Sequence, residues 1–184
     1  DFNDKATKTM KHYFTRLEEA IKNNWDRPAL GNFRGELFTF GEFATQIEKF
    51  HVFFEAIGLK KGDKVALCAK NSARWGVTFF AANTYEAVLV PILADFHPDS
   101  VNSLVDHSES LVLLTDSDIW AKLDITKMPS VRAVISSTFA ILSNLSEMET
   151  TTSFILLTTS FGIPQIYLED FLRRYKPELP REAE

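Results

Sequence analysis

Met10, Phe14, Leu17 and Ile21 recur at helical spacing, which predicts an amphipathic helix over about residues 8–23. Trp25-Asp26-Arg27-Pro28 ends that pattern, because proline removes a donor and clashes inside a helix. Ala29-Leu30 and Glu36-Leu37-Phe38-Thr39 flank the Gly31–Gly35 turn and read as a small β-hairpin. Thr39-Phe40-Gly41-Glu42 has the form of a capping box. The helix it opens carries Phe43, Ile47, Phe50, Phe54 and Ile57 on one face, and Gly58 stands where a left-handed residue would stop it.

Farther along, Lys60-Lys61-Gly62-Asp63 leads into a strand at about 64–69, after which Asn71 or Ser72 can cap a helix bearing Trp75, Phe79 and Ala82. Ala87–Ile92 reads as a buried strand, with Pro91 placing its end near an edge or bend. Pro98 suits the first turn of a helix over about 98–108, with His97 at its start. Leu111–Thr115 and Val131–Ile135 are two more strands. Strands alternating with helices predict α/β architecture: a mainly parallel sheet with helices on both faces, preceded by the first helix and the hairpin. From Ser136 to Gln165 the periodicity fades, and a last helix is expected over about 168–175. Residues 176–184, charged and proline-bearing, have the composition of a linker.

Composition narrows the function classes. The 184 residues carry 20 Lys+Arg against 25 Asp+Glu, and no basic block marks a nucleic-acid partner. No stretch approaches the roughly 18 apolar residues of a membrane span, and the first residues have no apolar signal core. A single cysteine, Cys68, lies in an apolar run and suits a buried small hydrophobe better than a nucleophile. A cytoplasmic protein, at most peripheral to a membrane, is expected.

Several segments in order resemble the adenylate-forming, AMP-forming acyl-CoA synthetases, and most of all the long-chain-fatty-acid–CoA ligases. They are Arg27-Pro28-Ala29-Leu30 with Phe38-Thr39-Phe40-Gly41-Glu42-Phe43, then Gly58-Leu59-Lys60-Lys61-Gly62-Asp63-Lys64-Val65-Ala66-Leu67. Asn71-Ser72-Ala73-Arg74-Trp75, Glu86-Ala87-Val88-Leu89-Val90-Pro91-Ile92 and His107-Ser108-Glu109-Ser110 through Asp116 follow. The fatty-acid branch rests on the Trp75 segment. Glu86 stands where that family commonly has glycine.

The resemblance implies a ligase that activates a fatty acid with ATP, Mg²⁺ and CoA, through an acyl-adenylate. It further implies that residues 1–175 are part of an N-terminal domain. Residues 176–184 would then lead to a phosphate loop beyond Glu184, leaving no catalytic, cofactor-binding or metal residue to assign here and no activity in the chain alone. Leu157–Gln165 offers hydroxyls and Gly162, but Phe161 is bulky where backbone must close on phosphate, so a turn is the better reading.

Other candidates have plain structural readings. His12, His51, His97 and His107 lack metal-ligand spacing. Asp116 and Asp118 follow a strand where α/β folds place ligands, yet aspartate there is commonly an N-cap. Trp75, Phe79 and Phe80 could line an acyl channel, although a helix on a sheet needs such a face anyway. Lys60, Lys61 and Lys64 with Asp63 suit a solvated turn. Phe50, Phe53 and Phe54 are wider than one helix face needs, so any exposed member would mark surface covered by the rest of the protein or by a second subunit in a homodimer. Three rival readings stay open: a ligase for an aryl, short-chain or amino acid, a stand-alone nucleotide-binding domain, and a noncatalytic interaction module.

Overall fold

The structure, a computed structural model, describes residues 2–136 and 141–144, with side chains over 13–136. The expected helix over 168–175, the linker 176–184 and the segment Leu157–Gln165 lie outside the described residues. Helix α1 (Phe2–Asn23) starts earlier than its apolar spacing indicates. The hairpin forms from β1 (Pro28–Gly31) and β2 (Leu37–Thr39), paired antiparallel.

Helix α2 (Phe40–Ala56) opens as its sequence requires. Thr39 Oγ1 accepts from the Glu42 N–H at 3.2 Å, and Glu42 Oε2 accepts from the Thr39 N–H at 2.8 Å, so two orphan donors are satisfied reciprocally. Past the helix, Gly58 takes φ +71°, with nothing within 4 Å of where a Cβ would stand. Gly58→Ala therefore tests backbone strain without steric clash, and a loss of about 1–2 kcal/mol in urea unfolding is expected.

Strands β3 (Lys64–Cys68), β4 (Val88–Pro91), β5 (Val112–Thr115) and β6 (Ala133–Ser136) are parallel, and β7 (Ile141–Asn144) adds an antiparallel edge. Their order is β4-β3-β5-β6-β7. Alternation sorts the side chains onto two faces. Val65, Leu67, Val112, Leu114 and Ile135 join the core under α2 and α3 (Ala73–Thr84). Ala66, Cys68, Leu113 and Val134 join a second core under α4 (Pro98–His107), the short α5 (Ser117–Trp120) and a 3₁₀ turn at Ile125–Lys127.

Three expectations need correction. β4 is an edge strand with Val88 and Pro91 exposed, not a buried one, consistent with Pro91 having no N–H for a further neighbour. On α3 the small residues Ala73, Val77 and Ala81 are fully buried, while Trp75 and Phe79 are only half-buried and stack on each other at 5.9 Å. Small side chains let the helix axis come close to the sheet, and the large rings are displaced to the flank. Lastly, Phe50, Phe53 and Phe54 are only 1%, 2% and 0% exposed. Helix α2 is covered by α1, by α3 and by the hairpin, so a wide aromatic face finds partners within the chain. Those three rings therefore expose no surface for a second subunit to cover.

Candidate functional site

After β3 the chain passes through α3 to β4 on one side, then returns through α4 to β5 on the other. The two helices pack on opposite faces, so the carboxyl ends of β3 and β5 form a topological switch point. Open α/β sheets place their ligand crevices there. Lys70, just past β3, donates its backbone N–H to Asp116 Oδ2 at 2.9 Å, and its Nζ lies 2.9 Å from Asp118 Oδ2. Asp116 occupies the N-cap position of α5 without a capping hydrogen bond from its side chain. The carboxylate instead ties the end of β5 to that of β3, a role that chain position alone does not reveal. Hydrogen bonding to Asp118 raises the Lys70 pKa and lowers that of Asp118, but both are exposed, so the pair adds little stability.

The other side of this loop is held by the hairpin. Asn32 Oδ1 accepts from the Ala73 N–H at 2.7 Å, and Ser72 Oγ accepts from the Trp75 N–H at 3.1 Å. The Arg74 guanidinium grips Glu36 with both arms, the Nε···Oε2 arm at 2.7 Å. Gly76 lets α3 approach Leu30, whose Cδ1 would stand 3.2 Å from an added Cβ. Between hairpin and loop lies a hollow of about 450 Å³ lined by Leu30, Phe33, Asn71 and Ser72, among others. Sequence reasoning missed Asn32 and Glu36, because no local pattern links a hairpin side chain to a helix some forty residues later.

Elsewhere, charges are matched internally. A groove of about 330 Å³ between α1 and α2 has Glu18, Glu48, Glu86 and His51 at its rim, but Lys22 lies 2.6 Å from Glu18 and Lys61 2.6 Å from Glu86. At the amino end of the sheet, Lys60, Lys64 and Arg132 share a bowl with Asp63 and Glu109. Asp63 Oδ2 accepts from the Lys60 N–H, so this is the solvated turn expected of those lysines. Glu86, where the resembled family commonly has glycine, adopts φ +64° and accepts the Gly62 N–H through its carbonyl at 2.9 Å. A glycine-like turn is thus kept with a non-glycine residue.

His51 bridges α2 to α3, its Nε2 lying 2.9 Å from Thr84 Oγ1 and 3.2 Å from the Ala81 carbonyl. Burial lowers its pKa below the usual 6.5. A histidine held neutral stabilises the fold above the unfolded-state pKa, and that contribution is lost as pH falls toward the folded-state value. Chemical denaturation is therefore expected to show stability falling as pH drops below about 6.5. His51→Gln should flatten that slope; an unchanged slope would show that other groups cause it. His97 caps α4, its Nδ1 accepting weakly from the Asp99 N–H at 3.4 Å, and His107 sits in the last turn of that helix. Burial and the Asp116 charge push the Cys68 thiol to about 11, so it stays protonated and unreactive.

A metal-bound triphosphate needs carboxylate clusters, unpaired cations and convergent N–H groups. Among the described residues no cluster of three His, Cys, Asp or Glu side chains could hold a metal ion. The positive-φ glycines, Gly58 and Gly62, lie at the opposite end of the sheet from the switch point. Lys70 is engaged by Asp118. The described residues do not fit that group.

By sequence, residues 17–160 match the family described as AMP-binding enzyme. The chain belongs to that adenylate-forming family. The AMP-binding fold recurs in solved structures at low identity. Coronafacic acid ligase from Pectobacterium brasiliense is 18% identical over 67% of this chain and 25% of its own, with TM-score 0.62. The anthranilate CoA ligase AuaEII, solved with anthranoyl-AMP, is 18% identical over 89% of this chain and 27% of its own, with TM-score 0.63. The N-terminal subdomain of Klebsiella oxytoca NpsA is 24% identical over 66% of this chain and 30% of its own, with TM-score 0.52. This AMP-binding chain thus spans about a quarter of the length of the first structures it matches. Comparison with curated proteins by sequence gives no significant match. The family uses ATP, and no helix among the described residues is long and apolar enough to cross a membrane.

Proposed function

We infer that this chain is scaffold in an adenylate-forming ligase. The reaction would join a carboxylate oxygen to the α-phosphorus of ATP with loss of pyrophosphate. A thiol such as that of CoA would then take the acyl group, with AMP leaving. Mg²⁺ would offset the charge of the polyphosphate, and the groups that hold it would lie outside the described residues. The observation that carries the reading is the family match over residues 17–160, on a fold whose topological switch point lies at the carboxyl ends of β3 and β5.

For the acid, an aryl acid is favoured over a long-chain fatty acid. The fatty-acid reading leaned on Asn71–Trp75, and those side chains have other employment. Ser72 caps α3, Arg74 grips the hairpin and Trp75 stacks on Phe79. The similar ligases named for a substrate act on coronafacic acid and anthranilate. Pyrophosphate release by the complete polypeptide that carries this domain, with benzoate, anthranilate and palmitate as alternative acids, tests the choice. Higher kcat/KM for an aryl acid is expected; a clear preference for palmitate would restore the fatty-acid reading. The 184-residue chain by itself is expected to form no acyl-CoA with any of the three.

A further inference from the structure

The four-residue loop 69–72 between β3 and α3 is anchored from two directions. On the sheet side its Lys70 N–H is bound by Asp116, and at its far end the Ala73 N–H is bound by Asn32 of the hairpin. The first N–H groups of a helix have no partner inside the helix, so something must supply one. Ser72 does so locally for Trp75, whereas Ala73 depends on a residue 41 positions earlier in the chain. The two-armed Glu36–Arg74 contact adds direction, because a planar guanidinium fork fixes the orientation of what it grips.

We propose that the β1–β2 hairpin is a buttress that presets loop 69–72 at the switch point, with Asn32 and Glu36 as its positioning residues. That a ligand meets this loop rests on the adenylate-forming reading; the coupling of hairpin to loop is a property of this chain alone. An isolated two-stranded ribbon is marginal in water, so the hairpin is held by what it packs on. It leans on α2 and α3, and Phe33 at its tip stays 90% exposed. The hollow beside it has Leu30 and Phe33 on one wall and Asn71 and Ser72 on the other, so the lock also sets its width.

Site-resolved amide hydrogen exchange on the 184-residue chain tests the coupling. Asn32→Ala is expected to speed exchange over 70–75 by about fivefold to tenfold, leaving interior amides of β3 and β5 unchanged. Asn32→Asp keeps an acceptor for the Ala73 N–H and is expected to restore slow exchange, a rescue that general loosening would not show. Acceleration confined to 28–39, or no rescue by aspartate, would overturn the proposal. Should Asn32→Ala loosen the whole core, Glu36→Gln decides. It keeps the packing and weakens the fork, so faster exchange in 70–75 supports the buttress and a change in the hairpin alone refutes it. Neither ATP nor an acid enters the readout, so the result stands whatever becomes of the ligase reading.

Discussion

Phe54→Ala is expected to remove about 3–5 kcal/mol of stability, the largest effect of any change considered for this chain. Phe54 is wholly buried, with the Tyr85 ring 5.3 Å away edge-on and the Phe50 ring at 5.7 Å. Alanine would lose the transfer energy of the ring and leave a void at the α2–α3 contact, where close packing allows little collapse. Against a total stability of about 5–15 kcal/mol, that loss would leave much of the chain unfolded in mild urea. Urea titration followed by far-UV circular dichroism measures it. Phe54→Leu should recover more than half of the loss; equal losses would mean that ring contacts, not cavity volume, dominate.

Gly41→Val is the second large effect expected, for the opposite reason. A Cβ at Gly41 would stand 2.5 Å from Trp25 Cε2 and 2.6 Å from Nε1, closer than packed atoms approach. Either the indole moves or the start of α2 does. The Gly41 N–H donates to the Trp25 carbonyl at 2.8 Å and the Phe40 N–H to Arg27 at 2.9 Å, so the contact also seats the base of the hairpin. A cost of about 1–3 kcal/mol is expected from overpacking. Trp25 emission should shift to the red as the ring leaves its half-buried place. A red shift without any loss of stability would show that Trp25 moves aside freely.

How much of this the sequence discloses depends on whether the relevant contact is local. The capping box at Thr39–Glu42, the left-handed Gly58 and the aromatic face of α2 follow from short-range geometry, and the structure contains them. The parallel strands are legible because strands covered on both faces become continuous apolar runs. Orientation is harder. Helix α3 has both a small stripe at Ala73, Val77 and Ala81 and a large one at Trp75 and Phe79, and periodicity alone does not say which meets the sheet. The edge position of β4 is hinted at by Pro91 but decided by topology. β7, in a stretch where periodicity fades, is identified only by its pairing with β6.

The candidate site is less legible still. Aspartate after a strand suggests an N-cap, yet Asp116 bonds across to Lys70, which only the adjacency of β3 and β5 makes available. Likewise the Asn71–Trp75 segment resembles a fatty-acid ligase motif, while its side chains here join helix cap to hairpin. Such a segment can signal a shared scaffold without reporting the acid.

Isothermal titration of Mg²⁺–ATP into the 184-residue chain tests the account most directly. Scaffold without phosphate-neutralising groups predicts only heats of dilution, with no saturation at millimolar nucleotide. Saturable one-to-one binding, abolished by Lys70→Ala, would contradict it by placing a working nucleotide site at the carboxyl ends of β3 and β5.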